Sequence, residues 1–132
     1  DYDQVRAEIN ELTEKYNIRQ IAIDRWNATQ LATQLQGDGI DVVGFGQGYG
    51  SMSAPAKQLE AMVVSAKLLH NNPVLDWQAG NVAIQQDHAG NIKPSKQKST
   101  ERIDGIVSLV MALGIMATAT TKPELNWDII EL

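Results

Sequence analysis

IRQIAIDRWNATQLATQLQGDGIDVVGF, residues 18–45, decides the fold. Its first seven residues are rich in β-branched side chains, with Ile21 and Ile23 facing one way and Ala22 and Asp24 the other, so 18–24 reads as a strand that ends on Asp24. Asn27, with Gln30 three residues on, has the spacing of a helix N-cap and its reciprocal partner. Ala28, Leu31, Ala32 and Leu35 then give a short helical face, which Gly37-Asp38-Gly39 stops. IDVVGF, 40–45, is a second strand. Two apolar strands joined through a helix predict a parallel pair with a right-handed crossover. Two parallel strands are too few for a stable sheet. The pattern therefore predicts either that sheet is missing at the amino end or that another chain fills an exposed edge.

Outward from this unit the periodicity continues. Val5, Ile9, Leu12 and Tyr16 recur at helical spacing among acids, so 3–16 reads as an amphipathic helix. After the second strand comes GFGQGYG, 44–50, then Ser53 as an N-cap with Pro55 in the first turn of a helix over about 54–70. That helix places Leu59, Met62, Val63, Ala66 and Leu69 on one face, and Asn71-Asn72-Pro73 ends it. Residues 81–93 read as a hairpin around Asp87-His88-Ala89-Gly90-Asn91. Ser99 or Thr100 caps a last apolar helix running to about 117, and the tail, 118–132, has no clear period. The expected fold class is α/β, in the order α-β-α-β-α-hairpin-α.

Composition narrows the chemistry. With 132 residues, 43% hydrophobic and 20% charged, the chain has ordinary globular composition and the length of one domain. It begins at Asp1 with no signal peptide, which reads as part of a longer protein. It has no cysteine, which excludes disulfides and thiolate metal sites. The longest apolar stretch, 103–119, is broken by Asp104, Ser108 and glycines, so no membrane span is expected. The net charge of −5 argues against a general nucleic-acid coat, yet Lys93, Lys96, Lys98 and Arg102 face only Glu101 within 92–102. A basic strip on an acidic body is either a localised phosphate contact or a solvated loop.

Two acids stand out. Asp24, at the carboxyl end of a buried parallel strand, lies where open α/β sheets place their sites, or else it caps the next helix. Asp104, in RIDGIVSLVMALGI (102–115), either complements the positive end of the helix dipole or, set between Ile103 and Ile106 near the core face, needs a partner such as a metal ion. The alternating glycines 44, 46, 48 and 50 match neither phosphate-binding glycine pattern, which makes a nucleotide site a remote reading. His70 and His88 lie too far apart for a zinc site, no G-x-S-x-G is present, and Trp26 reads as packing before base stacking. Two carboxylates from separate elements beside a basic strip are what metal-assisted phosphodiester cleavage needs. Hard oxygens hold Mg2+ or Mn2+, two ions about 4 Å apart share the attacking and leaving oxygens, and cations hold the neighbouring phosphates.

The segments IRQIAIDRWNATQLATQL, IDVVGFGQGYGSMSAPAKQLE, LLHNNPVLDWQAGNVAI and RIDGIVSLVMAL, in this order, resemble the carboxyl-terminal nuclease domain of tailed-bacteriophage terminase large subunits. The resemblance runs from about residue 3 to 117, which makes 1–117 the carboxyl-terminal portion of that domain and 118–132 a tail. It implies a partial ribonuclease H-like fold lacking the amino-terminal three-stranded meander, and cleavage of concatemeric double-stranded DNA during packaging in the cytoplasm of the bacterial host. It also implies a small subunit and a portal protein as partners. By position, Asp24 matches the acid ending the fourth strand and Asp104 the acid opening the last helix, both as catalytic metal ligands. The hairpin with Lys93, Lys96 and Lys98, continued by Arg102, matches an insertion where DNA is expected to run. The family has a further metal-binding aspartate on its first strand, absent here. The expectation is therefore weak metal binding and poor cleavage by this chain alone, with self-association at an exposed sheet edge. Rival readings are another ribonuclease H-like nuclease, of resolvase or integrase type, and a non-catalytic module that binds DNA or the portal.

Overall fold

The computed structural model describes residues 1–24 and 28–119. It divides into two compact units, Asp1–Gly46 and the chain from Gln47 onward. In the first, α1 (Tyr2–Lys15) precedes β1 (Ile21–Asp24), α2 (Thr29–Gly37) and β2 (Val42–Phe45). β1 and β2 pair in parallel with Ile21 opposite Val42 and Asp24 opposite Phe45, as the strand–helix–strand pattern predicts. Among the described residues no third strand joins this pair.

The core of the first unit is small: Leu31, Leu35 and Val42 are buried, and Ile9, Ile23, Ala28, Ala32 and Ile40 pack around them. Where α2 ends, Gly39 takes a φ of +88°, which spares a side chain the left-handed conformation. Its N–H donates to Gln36 O and that of Ile40 to Leu35 O, a Schellman arrangement that folds Ile40 back onto Leu35. Arg6 of α1 grips Asp38 with two bonds, of 2.6 and 2.7 Å, while Asn10 Nδ2 donates to the same carboxylate. Those bonds, Arg6's first, pull the Asp38 carboxyl from 3.8 down to about 2. The clamp is thus fully present at neutral pH and is lost only as the medium falls from 3.8 toward about 2. The amphipathic face of α1 is only partly used. Ile9 meets the core, whereas Val5 and Leu12 stay exposed.

In the second unit α3 (Tyr49–Val64), α4 (Pro73–Asn81), the strands β3 (Ala83–Gln86) and β4 (Ile92–Ser95), and α5 (Asp104–Ala119) surround a core of Met52, Ala56, Ile103, Ile106, Val107, Val110, Met111 and Leu113. β3 and β4 form the expected antiparallel hairpin, Ala83 opposite Ser95. Asp87 ties its turn by accepting from the Asn91 side chain and from the Asn91 and Ala89 N–H groups. Among the described residues no helix is long and apolar enough to cross a membrane.

Four local expectations change. α3 begins at Tyr49, capped by Gly48, so Ser53 is not its cap but a buried residue inside it, and Pro55 lies in the helix interior. The Ser53 hydroxyl accepts instead from Ile92 N–H, tying α3 to β4. The helix also ends six residues early. Ala66 takes φ +56°, with Ala66 N–H donating to Val63 O and Lys67 N–H to Met62 O, so the chain leaves the helix and Leu69 is 91% exposed. α4 was not expected at all, because Asn72-Pro73 reads equally as a stop and as a start. Asn72 Oδ1 accepts from the Val74 and Leu75 N–H groups, and proline sits at the first helical position, where its missing N–H costs nothing. Finally, α2 starts after Ala28, whose side chain makes no cap. Asn27, its expected cap, lies outside the described residues, as do Trp26 and 120–132.

Candidate metal and phosphate site

α5 is capped from a distance. Neither Ser99 nor Thr100 serves its amino end. Gln78 Oε1, from α4, accepts from Gly105 N–H at 2.6 Å and Ile106 N–H at 3.2 Å. A side chain at residue 105 would meet that oxygen at 2.7 Å, which explains the glycine beside Asp104. Gln78→Ala is expected to lower the stability of the second unit by about 1 kcal/mol, the usual value of a helix cap, measurable by urea denaturation.

The basic segment before α5 is a built turn. Ser95, 4% exposed, accepts from Lys98 N–H with its hydroxyl, and its carbonyl accepts from both the backbone and the hydroxyl of Ser99. Ser99 Oγ in turn accepts from Ala83 N–H. Lys96 and Lys98 stand on this turn, past the hairpin, and both are exposed. Lys93 alone of the three lysines is on the hairpin, in β4, with its Nζ 4.8 Å from the centre of the Tyr49 ring, a cation–π contact.

The turn and the start of α5 enclose a depression of about 320 Å3 lined by Lys96, Ser99, Glu101, Arg102, Ile103 and Asp104. Lys96 Nζ lies 3.0 Å from Asp104 Oδ1, and the two side chains are 55% and 63% exposed. The expectation that Asp104 sits near the core face is thus corrected. One helical step is 100°, so Asp104 points about 200° away from Ile106, toward solvent. Its charge is met by a lysine and by the first turn of α5. A wider groove of about 380 Å3, lined by side chains such as Leu59, Val63, Leu75, Ile84 and Leu109, is apolar and offers little for phosphate chemistry.

Asp24 ends β1 in the first unit, half-buried. It lies four positions ahead of Ala28, which holds the cap position of α2 without a side-chain cap bond of its own. The donor chemistry at Asp104 suits a hard divalent ion, and the Lys96 ammonium already stands in for a cation there. Among the described residues no three His, Cys, Asp or Glu side chains cluster as a metal site.

The family described as terminase large subunit, endonuclease domain, matches residues 1–120. The chain belongs to that family. Its similarity to the large terminase subunit of Enterobacteria phage HK97 is 35% identity over 131 residues, 97% of this chain and 26% of that protein. Protein YmfN of Escherichia coli is 34% identical over 118 residues, 86% of the chain and 26% of its own. The crystal structure of the HK97 bacteriophage large terminase superposes with a TM-score of 0.79 at 35% identity, covering 87% of this chain and 25% of that one. This terminase nuclease domain therefore spans about a quarter of the length of these relatives. Sequence reading missed Glu101 as a wall of the depression, Gln78 as the cap and Tyr49 under Lys93. Only Gly105, an otherwise poor helix residue in a first turn, hinted at a close neighbour.

Proposed function

We propose that this domain supplies the metal-dependent endonuclease activity of a phage or prophage DNA-packaging terminase, cutting concatemeric double-stranded DNA. The supporting observation is the exposed Asp104 carboxylate on the rim of a depression shared with Lys96 and Arg102, in a chain of the terminase nuclease family. In this reading the fold is a portion of a ribonuclease H-like domain, 1–117 with a tail beyond, that contributes Asp24 and Asp104 as metal ligands. Both carboxylates would hold Mg2+ or Mn2+, which would supply Lewis acidity. Asp104 orients its oxygens from a capped, fixed helix start. Lys96, Lys98 and Arg102 hold phosphates from the turn, and Lys93 does so from β4 beside Tyr49. DNA, a small subunit and a portal are the partners, in the bacterial cytoplasm.

The full-length protein should cleave linear duplex DNA with Mg2+ or Mn2+ and stop on addition of EDTA; cleavage that persists in EDTA rejects the metal mechanism. The same reading predicts how DNA affinity responds to salt. Each neutralised phosphate contributes a slope of about −0.9 in log K against log salt. The variant K93Q/K96Q/K98Q/R102Q is therefore expected to flatten that slope by up to about 3.6 when binding is measured with Ca2+ present. An unchanged slope removes these four residues from the interface.

A second reading has one observation in its favour. Lys96 already neutralises Asp104, as it would if the acid were structural and the module merely bound DNA or the portal.

A further inference from the structure

We infer that Lys96 is a cation latch on Asp104, occupying the carboxylate until a divalent ion is held there and then turning to a DNA phosphate. The inference rests on the metal reading above and assigns Lys96 a role beyond phosphate contact. Three observations carry it. The ammonium sits 3.0 Å from Oδ1, where a cation bound by Asp104 would be. Both side chains are more than half exposed, so packing does not lock the pair, and such a pair is worth only a factor of roughly 1.4 to 5 in an equilibrium. The backbone under Lys96 is fixed by buried Ser95 and by Ser99, so the flexible four-carbon stem alone has to move.

The consequences follow from charge. Without metal, a bare carboxylate on this rim would repel an approaching phosphate, and the latch cancels that charge. A divalent ion carries twice the charge of the ammonium and displaces it. Lys96 is then released within a depression where Arg102 provides a second positive charge and Glu101 the opposing one. Metal and DNA binding are thereby coupled, and by linkage each strengthens the other.

Lys98 provides the control: it stands on the same turn, is exposed, and makes no ion pair with Asp104. The experiment uses the full-length protein and Mn2+ binding without DNA, read by electron paramagnetic resonance of free Mn2+. K96Q is expected to bind Mn2+ about threefold tighter than wild type, and K98Q less than about 1.5-fold tighter, since both lose one charge but only the first loses a competitor. Salt dependence of duplex binding gives an independent reading. In EDTA, K96Q and wild type should share one slope, whereas with Ca2+ the wild-type slope should be steeper by about 0.9, one phosphate. Equal effects of K96Q and K98Q on Mn2+, or a K96Q slope difference that is the same with and without Ca2+, overturns the latch. D104N separates the two levels. If it leaves Mn2+ affinity unchanged, the metal reading at Asp104 fails and takes the latch with it. If it weakens Mn2+ while K96Q and K98Q behave alike, the latch alone fails.

Discussion

Asp104→Asn in the full-length protein is expected to lower duplex DNA cleavage by about 100-fold or more, with DNA affinity and thermal unfolding little changed. A metal ion's stabilisation of a phosphoryl transition state is worth several kcal/mol, and each 1.4 kcal/mol is tenfold in rate, so an impaired ligand costs at least two powers of ten. Asparagine keeps the shape and one neutral oxygen but loses the charge that binds a hard cation. Stability is spared for a structural reason: Asp104 is 63% exposed, its partner is an exposed lysine, and the cap of α5 is supplied by Gln78 rather than by Asp104. Asp24→Asn should lose activity to the same degree, because in the proposed reading it is the second carboxylate that holds the ion. Cleavage assays paired with circular dichroism melts check both. A variant that cleaves within about fivefold of wild type, under half of the expected loss on a logarithmic scale, makes the acid structural and favours the binding-module reading.

What could be read from the sequence follows the range of the interactions. The strand–helix–strand of the first unit was legible because its signals are local: β-branched runs, a helical face, and Gly39 at the exit of α2, directly before the Ile40 that folds back on Leu35. The hairpin was legible for the same reason, since Asp87 and Asn91 close its turn on themselves. The failures involve residues whose partners are remote. Ser53 has the look of a cap, yet its hydroxyl is used by Ile92, 39 positions away. The start of α5 is set by Gln78, 27 positions upstream, and no pattern around Ser99 or Thr100 could reveal that. Asn72-Pro73 is ambiguous even in principle, because a residue pair that cannot continue one helix is well suited to begin the next.

The site divides along the same line. The basic strip and both acids were visible as residue types, and the pairing of Lys96 with Asp104 was within reach, since the two are close in sequence. The error lay in assigning Asp104 to the core from its neighbours Ile103 and Ile106, when positions one and two apart on a helix do not share a face. Residue chemistry led only as far as a metal nuclease. The packaging role came from the resemblance, and the family match over 1–120 supports its origin.

Leu35→Ala is expected to unfold the first unit selectively. Leu35 is 0% exposed and is one of three buried residues in that unit's core, with Leu31 and Val42. Truncating a buried leucine costs about 2–5 kcal/mol, the larger values where surroundings cannot collapse into the space. Here the surroundings are a two-stranded sheet and two helices, and Leu35 also anchors the exit of α2 through the Ile40 N–H bond to its carbonyl. So small a core holds little in reserve. Hydrogen exchange read segment by segment should lose protection across β1, α2 and β2, while α3 and α5, whose core is built separately around Met52, Ile103 and Val110, keep theirs. Leu35→Met, which conserves volume, should cost less than about 1.5 kcal/mol and leave protection in place. Because Asp24 is carried by β1 of the same unit, the alanine variant should also lose cleavage, and the methionine variant should not. Protection falling equally in both units would mean that they unfold as one, and an active Leu35→Ala would mean that cleavage does not depend on the strand that carries Asp24.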